Sequence, residues 1–176
     1  MFSLSNARAK VRNVNLRAEK HGDEEVPAVD VAFELDRPST DLAMFGSQLR
    51  DSLFWCDPAH QAPGLLDEID PNSQKPNLRN PMLKGPFKVD RAYVGCEVTI
   101  DYGLGGDSNI VLDPVKVNGV KVEPVEGGSV RLSLRVQASK VDEKTAGRLA
   151  MMIDRETSIT VVAPERGEID SEGGEE

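Results

Sequence analysis

The chain is poor in the residues from which most active sites are built. Its 176 residues include two histidines, two cysteines, one tryptophan and only 5% aromatics. Two cysteines, Cys56 and Cys96, are too few for a disulfide framework. His60 lies close to Cys56 in CDPAH, but Pro58 opposes a helix there, and a structural zinc site wants four ligands. His21 sits in the polar turn AEKHGDEE and reads as a solvated residue rather than a base. GLGGDSNI has glycines but neither the Lys-Ser/Thr of a phosphate-binding loop nor a following helix, so it reads as a tight turn. The acids Asp67, Glu68 and Asp70 lack the glycine and the alternating ligand spacing of a calcium loop. No nucleophile elbow is present. The expectation is a protein that is not an enzyme and holds no metal or cofactor. Nothing approaches the roughly 20 apolar residues of a membrane span. The start, MFSLSNARAKVR, lacks the apolar middle of a signal peptide, so no membrane or secretory route is expected.

What the sequence has in abundance is alternation. Val29, Val31, Phe33 and Leu35 alternate with Asp30, Ala32, Glu34 and Asp36, the period of a half-buried strand. The same pattern runs through Val94, Cys96, Val98, Ile100 and Tyr102, and again through Val130, Leu132, Leu134 and Val136. Residues 7–17 read as a first strand and Thr157–Val162 as a closing one. Asn118-Gly119, between Val115–Val117 and Val120–Val122, predicts a hairpin turn, and Gly127-Gly128 predicts the next. Two helices are expected. One starts from Ser39 or Thr40 and runs to about Phe54, with Leu42, Phe45, Leu49 and Leu53 on one face; the other spans about Asp142–Asp154. The prolines at 58, 63, 71, 76, 81 and 86 make residues 56–86 a long irregular loop, a place for disorder or for a partner-binding excursion. The fold expected is mainly β, an antiparallel β-sandwich or barrel with two helices (α+β by helix content). Residues 1–164 form the single domain, and 165–176 an acidic flexible tail.

Charge is unevenly spread. Lys and Arg number 21 against 30 Asp and Glu, a net charge of -9, of which ERGEIDSEGGEE at 165–176 holds -5. A free-standing nucleic-acid binder is usually basic, and this chain is not. Yet Arg8, Lys10 and Arg12 fall at every second residue of the first strand, and Arg131 and Arg135 lie on the polar face of a later one. If those strands are neighbours, they form a basic groove. Trp55, Tyr93 and Phe87, which border the long loop or lie on the more polar face, are the stacking candidates such a groove needs to hold single-stranded nucleic acid.

Three segments, NVNLRAEKHGDEEVPAVDVAF, YVGCEVTIDYGLGGDSNIVL and EGGSVRLSLRVQ, resemble a family of small proteins of tailed bacteriophages and prophages. The likeness covers most of residues 10–162. Genes of that family often stand near replication and recombination genes. The acidic tail is also similar to those with which phage and bacterial single-stranded-DNA-binding proteins recruit partners. The resemblance implies an accessory protein of the host cytoplasm that binds single-stranded nucleic acid. The alternative is a counter-defence or host-takeover inhibitor that binds a host or phage protein, its acidic surface mimicking DNA. Exposed strand edges add self-pairing into a homo-oligomer.

Overall fold

The computed structural model describes residues 2–21, 24–56, 76–83, 85–103 and 108–164, with His21 and Glu24 described by backbone only. It is mainly β. Among the described residues nine strands are formed: β1 Ser3–His21, β2 Glu24–Pro38, β3 Phe54–Trp55, β4 Asn77–Leu78, β5 Phe87–Lys88, β6 Tyr93–Ile100, β7 Ile110–Val125, β8 Ser129–Ser139 and β9 Glu156–Val162. Two α-helices accompany them, α1 Leu49–Leu53 and α2 Glu143–Ala150, together with a 3₁₀ turn at Ser39–Met44.

Six long strands close on themselves. The order around the ring is β1, β2, β8, β7, β6, β9 and back to β1, every pairing antiparallel. β9 makes the closure by pairing with β1 on one side and β6 on the other. β6, β7 and β8 run in sequence, and the chain then crosses through α2 to lay β9 beside β6, which is a Greek-key connection. Closure removes most of the open edges that an antiparallel sheet otherwise exposes. The alternation read from the sequence supplies the interior. Val11, Val29, Val31, Phe33, Val98, Ile100, Leu132, Val136, Ile159 and Val161 are all almost fully buried in one cluster.

Three expectations are corrected. Asn118-Gly119 is not a hairpin turn, because β7 runs unbroken through it from Ile110 to Val125. Gly119 has φ +59°, and the register with β8 shifts between Asn118 and Lys121. The pair therefore forms a β-bulge, which needs the same left-handed backbone as a tight turn but bends the strand instead of reversing it. The bulge lies where β7 leaves β6, which it pairs through Val117, and goes on with β5 and β8.

The helix expected from Ser39 or Thr40 to Phe54 is broken in two, a 3₁₀ turn at Ser39–Met44 and the short α1 at Leu49–Leu53. The backbone N–H groups of Phe45 and Gly46 both donate to the Leu42 carbonyl, so the first turn closes as 3₁₀ and ends. Neither Ser39 nor Thr40 caps it; the Ser39 N–H instead donates to the Gly128 carbonyl at 2.8 Å. Leu42 still reaches the core, and the Phe45 ring meets Phe2 at 5.8 Å. The apolar spacing thus reported burial correctly without an unbroken helix.

The third correction concerns the long loop. Residues 57–75 lie outside the described residues, and its last part carries one short strand in otherwise irregular chain. β4 pairs with β3 in a separate two-stranded sheet, and the Arg79 N–H donates to the Leu53 carbonyl. α2 is as expected in place, and its N-cap is Asp142, whose carboxylate accepts from the Thr145 N–H at 2.9 Å.

Candidate functional site: the outer face of β1, β2 and β8

The proposed groove needs β1 beside β8. In the barrel β2 lies between them. Strand alternation turns Val29, Val31, Phe33 and Leu35 of β2 inward, and so turns Asp30, Glu34 and Asp36 outward, between the two cationic strands. A row of carboxylates therefore divides what the sequence suggested as one basic surface.

The side chains answer that arrangement. Arg8 pairs with Glu156 of β9, its Nε donating at 2.9 Å. Lys10 Nζ stands 3.4 Å from Asp154. Arg12 donates to Glu34 at 2.5 Å, and this hydrogen bond, with the charge behind it, raises the guanidinium pKa. Arg131 donates to Asp36 at 3.1 Å and lies 3.9 Å from Glu34. Arg135 is the one member of the predicted cationic set with no carboxylate partner among the described residues. These exposed pairs add little to stability, because solvent screens them. Their larger consequence is that the cations are already neutralised.

One end of the same face carries a network that sequence reasoning missed. Arg17 donates to Asp30 at 3.0 Å and to Glu19; Gln137 donates to Asp30 at 3.3 Å; Asn118 donates to Gln137 at 2.5 Å; Ser139 donates to Glu19. Burial works against the Arg17 charge, yet the bonds to Asp30 and Glu19 outweigh it and raise its pKa. The chain of contacts links β1, β2, β8 and β7. It is invisible without the register, because its members lie as far apart as 120 residues.

The aromatic candidates are not brought onto this face. Tyr93 stacks on Phe2 with ring centroids 4.5 Å apart and packs against the core, so it is not free to stack on a base. The reason is a second bulge. Gly95, at φ +74°, is the extra residue between the Val94–Lys116 and Cys96–Val115 pairs. One inserted residue exchanges the faces of everything before it, which turns Tyr93 inward and leaves Val94 exposed. Trp55 lies partly exposed on β3, in the small separate sheet. Cys96 is fully buried, and burial pushes its thiol pKa up.

A cleft of about 350 Å³ opens on the face, lined by Arg8, Ala9, Lys10, Glu34, Leu35, Asp36 and Glu156. It begins where the β1–β2 ladder ends, at the Lys10–Glu34 pair. Its walls mix both signs of charge and hold no nucleophile beside a base. No group of three or more His, Cys, Asp or Glu among the described residues could hold a metal ion. His60, Asp67, Glu68, Asp70, the turn residues 104–107 and the tail 165–176 lie outside the described residues.

The charge balance of the fold follows. Of the 21 Lys and Arg, 18 fall in the described ranges and 3 elsewhere; of the 30 Asp and Glu, 18 fall in the described ranges and 12 elsewhere. The described barrel is electrically neutral, and the whole net charge of -9 belongs to the other segments. Comparison with protein-family models, curated proteins and solved structures finds no match. No described helix is long and apolar enough to cross a membrane.

Proposed function

We propose that this is a non-catalytic binding protein whose partner is another protein. One observation carries the reading: four of the five cations that a nucleic acid would need, all but Arg135, are already held by carboxylates, and the described residues carry no net charge. A phosphate backbone would have to displace Glu156, Asp154, Glu34 and Asp36 before it gained a contact, and nucleic-acid affinity rests on such contacts. The acidic-mimic reading meets the same limit on this face, where Asp30, Glu34, Asp36 and Glu156 are paired too.

Apolar contact area is available elsewhere. Met82, Leu83, Phe87 and Trp55 stand exposed on the excursion between β2 and β6, Met82 by 93%. Exposed apolar side chains gathered on one segment favour a protein partner over a nucleic acid. In the phage setting that the sequence resembles, the partner is a host or phage protein, and the acid-rich tail adds attraction for a basic one.

Two measurements test this together. A mobility shift with single-stranded oligonucleotides at low salt should show no complex at micromolar protein. A photo-cross-linking side chain at Met82 should give a discrete adduct in host cells, and the same group at Lys144 of α2 should not. A salt-sensitive oligonucleotide complex that disappears on Arg8→Ala and Arg12→Ala refutes the proposal, as does the same adduct pattern from both positions.

A further inference from the structure

β1 has two neighbours for only part of its length. Its ladder with β9 covers Ser3–Lys10 and stops, whereas its ladder with β2 continues to His21. The turn after α2 fastens to Val11 through two hydrogen bonds, Val11 N–H to the Arg155 carbonyl and Asp154 N–H to the Val11 carbonyl. Beyond the bulge at Arg12, Asn13–Ala18 is paired on the β2 side alone among the described residues. Every second residue there turns an N–H and a C=O toward the open side. This is a strand edge left open in an otherwise closed barrel.

The edge carries an apolar side chain that stays exposed among the described residues. Leu16 is 54% exposed, although its cross-strand partner Val29 is fully buried. Val14, opposite Val31, is half-buried on the same face. Charged side chains commonly guard an open edge. Here Arg17 is drawn back across the sheet to Asp30 and Glu19, so its charge does not guard the edge.

We propose that a second copy of this chain docks here, antiparallel, with Leu16 facing Leu16 across a two-fold axis. The segment suits that register. It sets Leu16 against Leu16 and Val14 against Ala18 on one face, and Asn15 against Arg17 on the other. Over residues 13–19 apolar meets apolar, polar meets polar, and no like charges oppose; Arg12 and Lys20 come opposite each other only beyond them, at the bulge, where Glu34 already holds Arg12. Centring the pair on Arg17 would oppose two guanidiniums, and centring it on Ala18 would set Leu16 against Lys20. A two-fold pairing also closes, covering both open edges without propagating into a fibre.

The test is the mass of the purified full chain by light scattering and native mass spectrometry across micromolar concentrations. The wild type should be a dimer, and Leu16→Asp should raise the dissociation constant at least about tenfold, from lost apolar burial and two facing carboxylates. Its circular dichroism and thermal melt should stay those of the folded chain. In a Cys56→Ser background, Leu16→Cys should form an intermolecular disulfide under mild oxidation, since facing Cα atoms of an antiparallel pair lie about 4.5–5.5 Å apart. Arg17→Cys should do so far less. A wild-type monomer at about 100 µM overturns the proposal. So does a dimer indifferent to Leu16→Asp that gives no cross-link through Leu16→Cys. Neither result depends on the partner protein proposed above.

Discussion

Three glycines should respond to alanine with different signs and sizes, because three different things hold them. Gly119 sits in the β7 bulge at φ +59°, and a Cβ built there has nothing nearer than Arg135 Cβ at 3.9 Å. There is room for a methyl group, so the penalty is purely conformational. Placing an L-residue in the left-handed region costs about 1–2 kcal/mol. Gly128 ends the β7–β8 turn at φ +81°, where a Cβ would overlap Pro76 Cδ and lie 2.8 Å from its Cγ. Conformation and overlap both act there, in a rigid ring against a backbone that also holds the Ser39 N–H. The expected cost is about 3 kcal/mol or more. Gly147 lies inside α2 with open space around it and ordinary helical backbone, so alanine should stabilise by about 0.5–1 kcal/mol. At roughly 2–4 °C per kcal/mol for a chain of this size, the melting midpoints should separate clearly. Urea and thermal melts of the three single variants decide it, with Gly119→Asn as a further control that should cost less than Gly119→Ala. If Gly119→Ala is neutral, β7 does not bulge at Asn118-Gly119, and the account of how β7 changes partners is wrong.

Other consequences are equally direct. Neutralising the dividing row with Glu34→Gln, Asp36→Asn and Glu156→Gln should free Arg8, Arg12 and Arg131, and create salt-sensitive oligonucleotide binding where the wild type has none; a mobility shift reads it, and no gain would mean the ion pairs are not what excludes nucleic acid. The Asp142 carboxyl has its pKa lowered from the usual 3.8 by its hydrogen bonds with Thr145. Its capping contribution should be fully present above that value and lost as pH falls through the lowered one, so the stability gap between wild type and Asp142→Asn should narrow below about pH 4 in acid-dependent melts. A thiol reagent should label Cys56 quickly in the folded protein and Cys96 only after unfolding, because Cys96 is fully buried with a raised pKa. Two rapid equivalents would place Cys96 outside the core.

The amino-acid order alone determined the mainly antiparallel β character, the core faces of β2 and β8, and the capped second helix. Each of these rests on a period-2 or helical repeat between near neighbours, and burial acts on that repeat directly. It also determined that the chemistry is sparse, since the reactive residues are few wherever the chain folds. Tertiary structure decided the rest. Gly95 and Gly119 each carry a left-handed backbone whose outcome depends on the strand alongside: Asn118-Gly119 fits a turn or a bulge equally well until β6 and β8 are in place on either side of β7. The Gly95 bulge turned Tyr93 into the core, and nothing local to YVGCEV announces the slip. The supposed basic groove failed for a topological reason. Arg8 and Arg131 stand on strands separated in the ring by β2, and only once the barrel closes do Glu156 of β9 and Asp36 of β2 become their partners. Charge is written along the chain, but whether two charges add or cancel depends on which strands become neighbours, and long-range pairing alone settles that.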